Sequence, residues 1–447
     1  MRVLHVSAAL VFTLLFVRDV SAQTRTLTLE DAISIAVENN RDLEVSRLEM
    51  DKAEYQVNEA YGTALPNISA NGTYSRMLKK PVFFLPKKFF DSNAGDGVTA
   101  IEVGSDNSYN FGFEATQILF NAAVFTGVGT AKIYQAASRH LYDDSYNRTV
   151  TGVKKAFQGV LLAREVLLLM RASLKNAEDN LHNVEVMQKQ GIVSEYDFIR
   201  AQVQTDNIRP RVIEAERTVV LATNGLKLLL SLPPDHEIEI QGKLELVPVE
   251  DVMVSQAEAL VVENNAGLRA LEDQSRVNEK IATIYRSESL PTLAAFGNYS
   301  WQAQNDALSR ISTNDFIATS QVGLSLSINL FNGLQTNARV NQAEIDYRKS
   351  REQFSAAKDG MVTSAQNIRF RLDEAQRRIE SQTRTVEQAE KGYKIAVTRY
   401  QTGVGTQLEV NDADLALLQA RVNRVQAVYD YSVAKADLEQ LLSIHHP

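Results

Sequence analysis

The chain has 447 residues, no cysteine and a net charge of −8. The missing cysteine excludes disulfides, thiol catalysis, Cys-ligated metals and a lipid anchor on an N-terminal Cys. The acidic balance argues against nucleic acid as a partner. Only nine prolines punctuate the sequence, and the stretches between them read as helix far longer than compact domains use.

The chain opens on an expected signal peptide, residues 1–22. Arg2 supplies the charge, Val6 to Val17 is apolar, and Val20-Ser21-Ala22 offers small residues before Gln23. A spanning helix needs about 20 apolar residues. The nearest later candidate, Val160 to Met170, is interrupted by Arg164 and Glu165. A membrane form of this chain is therefore expected to be a β-barrel.

Beyond the signal peptide the chain is one unit written twice. Glu38-Asn39-Asn40 recurs as Glu263-Asn264-Asn265, Leu65-Pro66 as Leu290-Pro291, and Gly72-Thr73-Tyr74-Ser75 as Gly297-Asn298-Tyr299-Ser300, each 225 residues on. Leu119-Phe120-Asn121 recurs as Leu330-Phe331-Asn332, Gly191-Ile192-Val193-Ser194 as Gly403-Val404-Gly405-Thr406, and Leu229-Leu230-Ser231 as Leu441-Leu442-Ser443, 211 or 212 residues on. The smaller offset places an insertion in the first half, between Ser75 and Leu119. The repeats are assigned to residues 23–253 and 254–447.

In the first repeat a short helix (about Leu29 to Glu38) has Thr28 and Asp31 spaced for a capping box. A longer helix ends near Leu65-Pro66, where proline stops it. A strand pair is expected over about 66–120, a long helix hairpin over about 122–232, and an equatorial segment over about 233–253. The second repeat has the same grammar. A short helix spans about Ser255 to Glu263, and a longer one ends near Leu290-Pro291. A strand pair is expected over about 291–331, then a hairpin over about 333–444. The outgoing arm of each hairpin is about 70 residues, roughly 105 Å at 1.5 Å per residue. The return arms, from Ser194 and Thr406, are about 38 residues, and Pro210 is expected to kink the first.

The strands alternate. Val322, Leu324, Leu326, Ile328 and Leu330 interleave with Gly323, Ser325, Ser327 and Asn329; Tyr109, Phe111 and Phe113 interleave with Asn110, Gly112 and Glu114. In an outer-membrane strand the apolar face meets lipid and the polar face lines water. Trp301 and Tyr299, with Phe111 and Phe113, fit an aromatic belt at the membrane surface. Lys79 to Phe90 mixes four Lys with four Phe and is placed at the outer surface, either among lipid headgroups or as a loop. Helical seams at steps of three and four run through Leu174, Ala177, Leu181 and Val184, through Phe198, Ala201, Thr205 and Ile208, and through Val386, Ala389, Tyr393, Ala396 and Tyr400.

Two strand pairs give four strands, too few to close a barrel, and open edges are not tolerated in lipid. Several chains must share one barrel; three would supply 12 strands, within the usual range. The other reading is a non-channel periplasmic coiled-coil scaffold with β-hairpin tips. No catalytic constellation, metal site or cofactor motif stands out. Of the six His only His445 and His446 are neighbours, and Gly127-Val128-Gly129 lacks the rest of a dinucleotide fingerprint.

The order of these features resembles the TolC-like outer-membrane efflux proteins: signal peptide, duplicated halves, Leu-Pro before a strand pair, Leu-Phe-Asn at the strand-to-helix junction, Gly-x-x-Ser/Thr at the distal turns. The resemblance spans essentially the whole mature chain. It implies an α+β membrane protein, a homotrimer with a 12-stranded β-barrel in the outer membrane of a Gram-negative bacterium and a periplasmic α-helical barrel. It also implies a passive duct docked to a periplasmic adaptor and an inner-membrane pump of RND, ABC or MFS type.

The distal turns carry the remaining candidates. Gly191 and Gly403 suit helix-ending turns at positive φ, and Ser194 and Thr406 start the return helices; these four are the expected adaptor-docking positions. Ser194/Asp197 and Thr406/Glu409 have capping-box spacing, which accounts for Asp197 and Glu409 but not for Asp412, one helical turn past Glu409. The resemblance implies acidic rings at a periplasmic aperture from Glu409 and Asp412, and a constriction network including Tyr400 and Asp197. The arginine that the family pairs into that network is Gly405 here.

Overall fold

The computed structural model describes residues 25–90, 95–307 and 312–444; the expected signal peptide and His445-His446 lie outside them. In chain order the elements are β1 (Arg25–Leu27), α1 (Leu29–Asn39), α2 (Arg41–Gly62), β2 (Asn67–Arg76), β3 (Val82–Pro86), β4 (Val98–Glu102), β5 (Asn107–Phe120), α3 (Ala122–Lys189), α4 (Glu195–Leu229) and β6 (Ile238–Ile240). The second half contains α5 (Asp251–Ser255), α6 (Ala257–Asn264), α7 (Ala266–Ser287), β7 (Thr292–Asn305), β8 (Ile317–Ser327), α8 (Gln335–Gln401) and α9 (Gln407–Leu441). The outgoing arms α3 and α8 have 68 and 67 residues, and the return arms α4 and α9 have 35 each. Helix α4 continues through Pro210. The short helix expected from Ser255 begins at Ala257, after the separate turn α5.

The chain divides into two compact units. One comprises residues up to Glu44, Ser145–Val261 and the chain from Val362; the other comprises Val45–Asp144 and Val262–Met361.

In the first unit the Thr28 capping box closes α1. Thr28 Oγ1 accepts from the Asp31 amide at 3.2 Å, and the Thr28 amide donates to Asp31 Oδ2 at 3.1 Å. Strand β1 then pairs in parallel with β6, putting Leu27 and Ile240 into a core with Val153, Phe157, Val160, Leu226 and Leu230. Arg164 donates to the Ile240 carbonyl. Sequence patterning does not announce this small sheet: three residues per strand are too few for a period.

Most residues of the expected seams are packed. Leu181, Val184, Phe198, Ala201, Tyr393, Ala396 and Tyr400 share one cluster with Val410, and Leu174, Ala177 and Ile208 share another with Val212. Arg378 to Asp430 and Arg421 to Glu390, both 2.7 Å, tie α8 to α9. These pairs are partly exposed and worth at most about 1 kcal/mol each, so the apolar clusters hold the helices together.

The second unit contains a four-stranded antiparallel sheet of order β2-β5-β7-β8. The first strand pair is β2 with β5, and the inserted segment between them forms a second hairpin, β3 with β4. Lys80 clasps its base: its ammonium lies 2.9 Å from Asp306 and 3.2 Å from Asp106.

The core around Phe157, which is 2 % exposed, yields a stability prediction. Phe157→Ala is expected to cost about 3–5 kcal/mol through lost burial and the cavity left behind. It should lower the midpoint of the helical melt in circular dichroism, with Phe157→Leu intermediate. Coincident melts for both variants and the unaltered chain would show that this cluster does not hold the unit.

Candidate functional site

The sheet register sorts side chains onto two chemically distinct faces. One carries Ile68 and Tyr74 of β2, Phe111 and Phe113 of β5, Tyr299 and Trp301 of β7, and Val322, Leu324 and Leu326 of β8. The other carries Ser69, Asn71 and Thr73, then Asn110 and Glu114, then Asn298 and Ser300, then Gln321, Ser325 and Ser327. Val322, Leu324 and Leu326 are 87 %, 69 % and 71 % exposed. An apolar patch of this extent on a soluble chain marks a surface that something else covers.

All four expected belt aromatics lie on that apolar face and meet. Phe111 stands opposite Trp301, and Phe113 opposite Tyr299. Tyr299 and Trp301 are 4.5 Å apart edge-on, and Phe111 stacks on Trp301 at 5.7 Å. Tyr74 and Tyr109, 4.9 Å apart, share the face. Tyr74 is the counterpart of Tyr299 and was findable by carrying the belt through the 225-residue offset.

One expectation needs correction. The alternation in the last strand runs on to Leu330, but β8 ends at Ser327, leaving Ile328 and Leu330 outside it. In the inserted segment two of the lysines are ion-paired. Lys80 is held by Asp306 and Asp106, which raise its pKa, and Lys88 lies 2.6 Å from Asp96. The phenylalanines remain outward: Phe83, Phe84, Phe89 and Phe90 are all exposed.

At the distal turns the two repeats use the same backbone device. Gly191 (φ 71°) donates to the Gln188 carbonyl while Ile192 donates to Met187; Gly403 (φ 76°) donates to Tyr400 while Val404 donates to Arg399. Each glycine stands where a side chain would be strained. Ser194 and Thr406 then cap the return helices. Ile192 with Tyr196, and Val404 with Leu408, are exposed at equivalent places.

The acids behind these caps differ. Asp197 completes the box, its carboxylate accepting from the Ser194 amide and hydroxyl at 3.3 and 2.7 Å. Glu409 completes only half: its amide donates to Thr406 Oγ1, but its carboxylate lies 3.5 Å from Arg399 Nε. Arg399 also donates to the Val404 carbonyl. Asp412 is exposed one turn farther along. Tyr400 is buried in the seam with its hydroxyl unpartnered; burial raises its pKa, and the Asp197 charge adds to that. The structure therefore brings Glu409 to Arg399.

Position 405 has no room for a side chain. A Cβ there would sit 2.9 Å from Arg399 Cβ and 3.0 Å from the Tyr400 nitrogen. The guanidinium at this turn is Arg399, which sequence reasoning missed. Asp414 was also missed. It is buried on α9, accepting from Ser173 Oγ at 2.9 Å and Asn176 Nδ2 at 3.2 Å on α3. Nothing in the order of residues announces either contact.

The chain was compared with known proteins. The profile described as outer membrane efflux protein matches residues 32–231 and 259–443. The outer membrane protein TolC of Escherichia coli (strain K12) is 20 % identical, over 90 % of this chain and 80 % of that one. The alkaline protease secretion protein AprF of Pseudomonas aeruginosa is 22 % identical, over 74 % of this chain and 69 % of that one. Among solved structures, the outer membrane protein VceC of Vibrio cholerae superposes with a TM-score of 0.76 at 16 % identity, over 93 % of this chain and 96 % of that one. The chain belongs to the outer membrane efflux protein family and is an efflux protein of the outer membrane with the fold of an outer-membrane channel.

Proposed function

We propose that the protein is the outer-membrane exit duct of a tripartite efflux or type I secretion system. Three copies would close a 12-stranded barrel, continued by a periplasmic helical tunnel. The observation that carries this reading is the four-stranded sheet with one apolar exposed face, one polar face and two unpaired edges, β2 and β8. In hydrocarbon each free edge must find a partner. Edges from neighbouring copies satisfy each other, the apolar face meets lipid, and the polar face lines a water-filled passage. The duct is passive; energy comes from an inner-membrane pump through a periplasmic adaptor. The turns at Gly191–Ser194 and Gly403–Thr406 are the docking end, and the paired exposed residues Ile192/Tyr196 and Val404/Leu408 suit apolar contact with an adaptor tip. AprF, named for alkaline protease secretion, supports a secretion role beside efflux.

Purified in detergent, the protein is expected to run as a heat-sensitive trimer and to conduct ions in planar bilayers. A monomer that stays soluble without detergent, or a trimer that never conducts, would overturn the duct.

Leu326→Arg is expected to block membrane assembly, because an Arg facing lipid near the midplane costs about 2–4 kcal/mol. Ser325→Arg, on the polar face, should still assemble and instead change conductance. Equal loss in both variants would invert or abolish the assigned faces.

Glu409 and Asp412 are proposed to ring the periplasmic mouth, where threefold repetition gathers like charges that attract cations. Glu409→Gln combined with Asp412→Asn should reduce cation selectivity and block by trivalent cations while assembly persists. Selectivity and block unchanged in an intact trimer would remove the ring.

A further inference from the structure

The duplication supplies a template for a strand contact that a single chain cannot make. Strand β7 is the counterpart of β2 by the offset of 225, and β8 is the counterpart of β5 by the offset of 211. These offsets carry pairing as well as sequence. Asn67 opposite Thr116 becomes Thr292 opposite Ser327, and Tyr74 opposite Tyr109 becomes Tyr299 opposite Ser320; both transferred pairs are present. The β7–β8 ladder is the β2–β5 ladder repeated in the same register.

The sheet holds one more ladder, β5 with β7, that joins the first half to the second. Its counterpart is β8 with β2, which lie at opposite edges of the same four strands. Within one chain that pairing has no partner.

We infer that β8 of one copy pairs antiparallel with β2 of the next in the register that β5–β7 dictates, and that β8 lengthens to Phe331 on pairing. This rests on the proposed shared barrel. Glu114 opposite Asn298 transfers to Ser325 opposite Thr73, and Thr116 opposite Phe296 transfers to Ser327 opposite Asn71. Past the bulge, Phe120 opposite Leu293 transfers to Phe331 opposite Ile68.

Two further observations agree. In β5, Gln117 to Phe120 have only β7 beside them, since β2 reaches no farther than Thr116. Their counterparts, Ile328 to Phe331, are the residues expected to continue β8 that do not do so in one chain. They lack the neighbour that makes Gln117 to Phe120 a strand. Second, Phe331 and Ile68 are 77 % and 72 % exposed, and the transferred register sets them against each other. The transferred register also keeps Leu324 with Tyr74 on the apolar face, and Ser325 with Thr73 on the polar one. A slip of one residue would turn one strand's faces over.

Because the chain has no cysteine, paired cysteines report on this contact without background. Directly opposed residues bring Cβ atoms close enough for a disulfide; diagonal neighbours, about 7–8 Å apart, do not. Ser325→Cys with Thr73→Cys, and Ser327→Cys with Asn71→Cys, are expected to give covalent dimers and trimers on mild oxidation of the assembled protein. The diagonal pairs, Ser325→Cys with Asn71→Cys and Ser327→Cys with Thr73→Cys, should stay monomeric in denaturant. Crosslinking by the diagonal pairs alone would overturn the register while leaving the barrel closed by β8 and β2. No crosslink from any of the four in a conducting trimer would overturn β8–β2 pairing itself. Failure to form a trimer in the unaltered protein would instead sink the duct. Hydrogen exchange on the unaltered trimer gives an independent reading. Amides within Ile328 to Phe331, like those of Gln117 to Phe120, are expected to exchange slowly, and fast exchange there would overturn the lengthening of β8.

Discussion

A backbone amide without an acceptor cannot be left in hydrocarbon, where water is absent and each unsatisfied group costs several kcal/mol. Every other feature of the sheet follows from that constraint. Four strands leave two unpaired edges, β2 and β8, so the chain is committed to sharing its sheet before any side-chain contact between copies is considered. The exposed apolar face has the same logic. In water it would be an aggregation hazard; in a bilayer it is the only face that can be there. Phe111, Phe113, Tyr299 and Trp301 gather on it as one cluster because strand pairing, not sequence neighbourhood, sets them side by side.

The duplication is written most deeply in the backbone. Gly191 and Gly403 have φ of 71° and 76°, and Ser231 and Ser443, ending the return helices, have φ of 52° and 48°. Serine is an uncommon occupant of that region, and it recurs at the same offset. The halves diverge where contacts differ. Gly333 and Leu334 have positive φ only in the second half, where β8 leaves an open edge. Asp414 ties α9 to α3, whereas its counterpart across the offset of 212 is Gln202, which is exposed. Two copies of one unit must make unlike contacts when they alternate around a ring, and the side chains at those contacts are where the repeats part.

What was legible in the sequence was whatever has a period or a punctuation mark. The long arms were readable because seams such as Leu181–Val184 and Ala396–Tyr400 repeat at helical spacing. The distal turns were readable because Gly and Ser/Thr stand at fixed intervals. The strand faces were readable because alternation leaves an unmistakable phase. The pairing of β1 with β6 was not readable: three residues carry no period, and 213 positions separate Arg25 from its partner Ile238. The β3–β4 hairpin hid inside an insertion whose apolar residues lie on both of its faces. The end of β8 at Ser327 was misread for a different cause. The alternation that predicts strand as far as Leu330 reflects a neighbour that one chain does not contain.

The acids at the two turns show how one extra methylene changes electrostatics without changing the fold. Both turns need a carboxylate three residues into the return helix, where helix N-termini favour negative charge. Asp197 is short enough to fold back on the Ser194 amide, so its charge is engaged by its own cap. Glu409 reaches past that position to Arg399, which also holds the Val404 carbonyl and so braces the turn in which Gly405 leaves no room for a side chain. A partly exposed ion pair of this kind is worth little in stability, but it offsets the field that Glu409 would project. Asp412 stands free of the cap and one turn farther on. In the proposed acidic mouth, more of the unbalanced charge per chain therefore resides on Asp412 than on Glu409. At physiological salt that charge is felt over about 8 Å, so it acts on ions already within the mouth rather than on those approaching it.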